Sequence, residues 1–178
     1  MVLVINTNAM KQARIRLEKY QEHDFASYYE LVKEDAVMRY ISGKGHSLET
    51  ARKKFDTFLQ INSKIPELGY FNVLANNGDA IGECKLVPYQ QEDEPVLEIG
   101  YILKESHWRQ GFGSLICMEL LALADKLHPD KAVIGIIHPE NQASKRLLEK
   151  FGFQSYFVGE ENSVPTEKLL LQKDRNLN

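Results

Sequence analysis

Leu103-Lys104-Glu105-Ser106-His107-Trp108-Arg109-Gln110-Gly111-Phe112-Gly113-Ser114-Leu115 is the stretch on which the reading of this chain turns. Before it, Val96-Leu97-Glu98-Ile99-Gly100-Tyr101-Ile102-Leu103 reads as a strand. After it, about Gly113 to Leu127 is rich in Leu, Ile, Met and Ala and reads as a helix. A strand, a glycine loop and a helix in that order aim several backbone N–H groups and a helix N-terminus at one point, an arrangement that binds phosphate oxygens. Gly111 and Gly113 allow close backbone approach. Two common nucleotide motifs fail here. A Rossmann fingerprint would need Gly or Ala where Ile116 stands, and the next strand ends in Ile137-His138-Pro139 with no acidic residue. A Walker loop would need a Lys that Gly111-Phe112-Gly113-Ser114 lacks. A tight turn without a ligand stays open.

Working outward, the period-two pattern extends upstream. Phe71–Ala75 and Ala80–Leu86 flank Asn76-Asn77-Gly78-Asp79, a hairpin signal because Asn-Gly accepts positive φ. An acidic loop, Gln90 to Pro95, is expected before the Val96 strand. Further back, a short strand at Arg14–Glu18 precedes a helix capped by Asp24, a second short helix near Asp35, and a longer one opened by Ser47 and stopped at Ile65-Pro66. Downstream come a strand at Ala132–Ile137, a helix from about Asn141 to Lys150 stopped by Gly152, and strands near Phe153–Val158 and Lys168–Gln172. Three strands in a meander before the glycine loop imply a mixed sheet, not a doubly wound one.

The chain has 178 residues, 22 Lys and Arg against 25 Asp and Glu, and 43% hydrophobic residues. That suits one globular α/β domain over 1–178, with residues 1–12 as a loose leader. A net charge of −3 gives no basic face for nucleic acid, and no apolar run is long enough to span a membrane. Cys84 and Cys117 lie far apart with no CxxC, which points away from zinc and disulfides and toward a reducing cytoplasm. His107 and His138 lack partners at ligand spacing, so no metal is expected.

Glu98-Ile99-Gly100-Tyr101, the Trp108–Ser114 loop and Asn141-Gln142-Ala143-Ser144 with Phe151-Gly152-Phe153 together resemble the GCN5-related N-acetyltransferase (GNAT) superfamily. The loop matches the family's acyl-CoA pattern at both glycines but has Trp108 where the general pattern has Gln or Arg. Trp there is common in the branch that acetylates ribosomal-protein N-termini, and Arg16-Leu17-Glu18 also looks like that branch. The resemblance covers about residues 14–172. It implies a strongly bent mixed β-sheet with helices on both faces, and acetyl-CoA as co-substrate. Pantetheine would lie beside Tyr101, Ile102 and Leu103. The pyrophosphate would sit on the loop formed by Gln110, Gly111, Phe112, Gly113 and Ser114. Arg109 is either a phosphate partner or a solvated loop cation, and Trp108 either touches the cofactor or packs the loop base.

The reaction sets further needs. At pH 7 a lysine-like amine is neutral about once in 2,500 molecules and an α-amine about once in seven, so a base matters more for the first. By resemblance Glu98 is that base, an anchor for the amine, or merely exposed; a carboxylate within a central strand is costly without a role. Ser144 matches the acid that would protonate the leaving thiolate, and Asn141 an asparagine that bonds pantetheine. The bland alternative makes Asn141 an ordinary N-cap with Ser144 in the first turn. Tyr156 is a weaker candidate for the acid. The expected acceptor is a peptide N-terminal α-amine, with a small cationic amine such as a polyamine or aminoglycoside behind it. A non-catalytic acyl-CoA sensor is a third reading. A monomer or homodimer is expected.

Overall fold

A computed structural model describes residues 15–91 and 94–173. The leader lies outside the described residues. The elements run β1 (Ile15–Lys19), α1 (Phe25–Val32), α2 (Asp35–Met38), α3 (Leu48–Lys64), β2 (Gly69–Ala75), β3 (Ala80–Gln91), β4 (Glu94–Leu103), α4 (Phe112–Leu127), β5 (Val133–Ile137), α5 (Gln142–Lys150), β6 (Gln154–Glu161) and β7 (Val164–Leu171). They form one seven-stranded sheet in the order β1-β2-β3-β4-β5-β7-β6. Every pairing is antiparallel except β4 with β5. The mixed sheet expected from the three-strand meander is what forms.

Alternation along the strands gives the sheet two different faces. On one, Cys84, Leu86, Leu97, Ile99, Val133 and Leu169 are buried with Ile116, Cys117 and Leu120 of α4 and Leu148 of α5. On the other, α1 and α3 bring an aromatic cluster: the Phe55 ring lies 5.1 Å from those of Tyr20 and Tyr28 and 5.5 Å from Phe25. Both cysteines are fully buried in the first core, which is the role their apolar neighbours suggest.

Several local readings hold and two do not. Ser47 Oγ accepts from Thr50 N–H at 3.2 Å, capping α3. Asn62 grips β2 with both ends of its amide, accepting from Tyr70 N–H at 2.8 Å and donating to Tyr70 O at 2.9 Å. Asp24, however, makes no side-chain cap on α1; its carboxylate turns back to accept from Gln21 N–H at 2.8 Å, closing a 3-10 turn over Glu22–Asp24. The acidic loop is also much shorter than expected. Gln90 pairs with Pro95 and Gln91 with Glu94, so the hairpin continues almost to its tip. Pro95 is tolerated because it sits at a strand end, where a missing N–H costs little.

Glu167 of β7 pins α5 to the sheet. Its side chain is only 2% exposed, and Oε1 accepts from Ser155 Oγ at 2.6 Å and lies 2.8 Å from Lys145 Nζ. Burial pushes this carboxyl up, but the Lys145 ammonium and the Ser155 hydroxyl outweigh it and hold it below the usual range. A depressed carboxyl contributes stability above its unfolded pKa and loses it as pH falls through the folded one. Glu167→Gln is therefore expected to cost about 1–2 kcal/mol at pH 7, since Lys145 retains some access to water. The gap to the wild type should close below about pH 4. Urea unfolding at both pH values tests this; a gap that stays constant would remove the ion pair from the account.

Candidate functional site

The parallel pairing of β4 with β5 is short. It runs Leu97 with Val133, Glu98 with Ile134 and Ile99 with Gly135, and then stops. Beyond that point β4 continues beside β3 and β5 beside β7, so the two strands diverge. Gly100, Tyr101 and Ile102 on one side and Ile136, Ile137 and His138 on the other line a cavity of about 360 Å³. Unpaired strand backbone in such an opening is obliged to find water or a ligand. Asn141 and Ser144 at the start of α5 close one flank, and Glu98 stands at the vertex.

At the far end of β4 the glycine loop forms as expected. Gly111 is the N-cap of α4 at φ +86°, a left-handed conformation that an L residue rarely adopts, and Arg109 also has positive φ, at 60°. The first turn closes when Leu115 N–H reaches Gly111 O at 3.2 Å. Before that bond the N–H groups of 109–114 have no backbone partner among the described residues. A Cβ on Gly111 would meet nothing within 4 Å, so the loop borders free space. A Cβ on Gly113 would fall 3.2 Å from the Tyr101 hydroxyl, which puts the loop in touch with the cavity wall. The loop is braced from behind: Trp108 Nε1 donates to Leu103 O at 2.8 Å and Gln110 Nε2 to Ser106 O at 2.7 Å. These donors and this free space fit a diphosphate, the group that the expected acetyl-CoA would bring to the loop.

Asn141 does cap α5, its Oδ1 accepting from Ser144 N–H at 3.2 Å. The Ser144 hydroxyl is separate from that cap and hydrogen-bonds the Tyr101 phenol. Burial pushes Tyr101 up to about 12, with Ser144 offsetting part of the rise. Its phenol stays protonated at any physiological pH.

The expected residues thus fall into two adjoining groups. Glu98, Tyr101, Ile102, Asn141 and Ser144 line the cavity. Trp108, Arg109, Gln110, Gly111, Phe112, Gly113 and Ser114 form the loop and first turn beside it. Leu103 is buried, with its carbonyl taken by Trp108. Tyr156 lies on β6 and does not line the cavity.

Sequence reasoning missed the polar floor on the α1–α3 side. Lys85 sits opposite Gly100 in the β3–β4 register, and its Nζ reaches Glu98 Oε1 at 2.5 Å. A Cβ on Gly100 would lie 2.9 Å from Lys85 Cε, so the glycine gives the lysine stem room to cross the strand. Glu83, two residues back along the same face, also lines the cavity, with Tyr28, Phe58 and Tyr70 around it. The alternation Glu83-Cys84-Lys85 carried the signal; only the register with β4 shows that this face meets Glu98.

Residues 14–154 match the family model described as an acetyltransferase (GNAT) domain. The chain is 31% identical over 145 residues to the uncharacterized protein YkkB of Bacillus subtilis (strain 168), covering 78% of this chain and 81% of that one. Among solved structures it superimposes on RimL, the ribosomal L7/L12 alpha-N-protein acetyltransferase in complex with coenzyme A. The TM-score is 0.75 at 17% identity, covering 91% of this chain and 96% of that one. It also superimposes on spermidine N-acetyltransferase from Vibrio cholerae in complex with coenzyme A and spermine. There the TM-score is 0.72 at 16% identity, covering 94% and 99%. These superpositions show a shared overall fold. With a family match over most of its length, this chain belongs to the GNAT acetyltransferase family and is an acyltransferase.

Proposed function

We propose that this protein transfers the acetyl group of acetyl-CoA to the N-terminal α-amine of a protein or peptide, by direct attack in a ternary complex. The observation that carries the reading is the continuity of one cavity from the β4–β5 divergence to the polar floor at Glu98 and Lys85. Acetyl-CoA supplies the thioester carbon. The loop amides of Gln110–Ser114 hold its diphosphate, and Asn141, with Oδ1 engaged in the cap, has its amide hydrogens left for the pantetheine arm. Of the roles open to Glu98, its ion pair with Lys85 favours an anchor that orients the incoming amine. Ser144, backed by Tyr101, gives a proton to the departing thiolate. Direct attack fits the cysteines, both buried, with burial pushing their thiols up and so away from nucleophilic use. Free buried thiols also suit a cytoplasmic protein. We read 1–178 as one domain working as a monomer or homodimer.

A small cationic amine is the second reading. It is favoured by the stacked Phe58 and Tyr70 rings, 3.8 Å apart, beside two carboxylates. The deciding experiment is calorimetric titration with acetyl-CoA followed by thiol-release assays on N-terminal peptides, polyamines and aminoglycosides. Binding with turnover on peptides is the expected result. Turnover confined to polyamines or aminoglycosides would move the acceptor, binding without turnover on any amine would leave a sensor, and absence of binding would overturn the reading.

A further inference from the structure

The cavity holds two carboxylates, and they are not equivalent. Glu98 is committed to Lys85. Glu83 is not: its Oε2 is closed off from solvent and receives no hydrogen bond. Asn72, directly across the strand pair from Glu83, donates instead to Asp24 at 3.4 Å. An unsatisfied carboxylate oxygen at this depth costs free energy and calls for a partner that arrives with the substrate.

We propose that Glu83 is the group that takes the proton from the acceptor amine, while Glu98, held by Lys85, orients that amine. The proposal rests on the acetyltransferase reading above. The β3–β4 register carries it: Glu83 lies opposite Ile102, on the same sheet face as Lys85 and Glu98 and inside the same cavity. In the step, the ammonium gives one proton to the Glu83 carboxylate. The freed nitrogen pair then forms the C–N bond as the C–S bond breaks. The proton shed by the new amide nitrogen accounts for the one that Ser144 hands to the thiolate, and Glu83 returns its own to solvent.

The surroundings match that task. Lys85 shares its strand, Lys54 faces it from α3, Tyr28 from α1, Tyr70 from β2, and Tyr20 from the turn after β1; Cys84 points to the opposite face. Glu98 faces it across Lys85. Burial pushes the Glu83 carboxyl up to about 8, and the two lysines offset only part of the rise. A base that titrates near working pH is matched to proton transfer from an amine. An entering ammonium would lower the same pKa and ionise the group when it is needed.

The test uses wild type, Glu83→Gln, Glu83→Asp and Glu98→Gln, with acetyl-CoA and whichever amine of the panel the wild type acetylates. Glu83→Gln is isosteric and keeps the neutral form that burial favours, so it should fold. Raised folded pKa means that the wild type loses stability as pH rises from the unfolded carboxylate range toward 8. The melting temperature of Glu83→Gln relative to wild type should therefore climb between about pH 5 and 8, with no ligand present. Expected with substrate are a kcat drop of about 100-fold, acetyl-CoA affinity unchanged within about twofold, and loss of an enzyme-borne limb near pH 8 in kcat/KM. Glu83→Asp should recover part of kcat, and Glu98→Gln should raise KM while keeping the limb. Wild-type kcat with an intact limb in Glu83→Gln, or a melting difference flat with pH, overturns the proposal while leaving the acetyltransferase reading intact. A wild type that acetylates no amine overturns that reading, and this proposal with it.

Discussion

Gly111→Glu is expected to weaken acetyl-CoA binding by roughly 10²–10³-fold while the protein still folds. Folding should survive because a Cβ at this position meets no atom within 4 Å. What the substitution forces is backbone strain: φ is +86°, and an L residue there costs about 1–2 kcal/mol. The larger effect is electrostatic. Among the described residues, the N–H groups of the loop and first turn, 109–114, are without backbone partners. A carboxylate seated among them would compete with the diphosphate for those donors and repel it. Losing about two charge-assisted hydrogen bonds, at about 1.5–2 kcal/mol each, accounts for the expected range. Gly111→Ala separates the two contributions, since it carries the strain without the charge and should cost about tenfold or less. The repulsive part should also shrink as salt is raised. Calorimetric titration of both variants at low and high ionic strength is the measurement. Equal affinities for Glu and wild type would remove the loop from the diphosphate site.

How much of this was legible beforehand depended on how local the signal was. The glycine loop could be read because Gly111 answers a purely local demand, a left-handed N-cap after a strand. The Asn-Gly turn was equally local: Gly78 has φ +87°, and Asn77 Oδ1 accepts from Asp79 N–H at 3.1 Å. The hairpin tip was not, because Pro95 and the acidic run look like breakers until the β3–β4 register carries the pairing on to Gln90 with Pro95 and Gln91 with Glu94. Nor was the floor of the cavity. Glu83 and Lys85 are polar positions of an alternating strand to which the sequence assigned no role, and α1 and α3, packed over that face, make it an interior. Asp24 shows the reverse error, a good cap residue whose carboxylate is taken by Gln21 N–H in a tighter turn. Glu98, Ser144 and Asn141 came from family resemblance, and what the geometry adds is each one's partner.

Those partners make Ser144→Ala the sharpest test of the chemistry. We expect kcat to fall about 10²-fold, with acetyl-CoA affinity changed by no more than about twofold. Fold and binding should persist because the α5 cap uses the backbone N–H of residue 144, which alanine retains, and the side chain of Asn141. The rate should fall because the hydroxyl is the small donor at the strand opening, and its partner, the Tyr101 phenol, is itself pushed up to about 12 by burial. A thiolate leaving into that opening meets a paired hydroxyl and phenol that both remain protonated, so the donor should add no limb to the pH profile below about pH 9. Tyr101→Phe distinguishes a relay from a single donor. If Ser144 acts alone, Tyr101→Phe should keep kcat within a few-fold; if the phenol re-protonates Ser144, the two variants and their double should all fall by the same factor, since a shared path can be broken only once. The assay should follow thiol release at saturating acceptor, so that loss of the proton donor appears in kcat and not in KM. A Ser144→Ala rate equal to wild type would take the thiolate's proton away from this pair and leave solvent as its source.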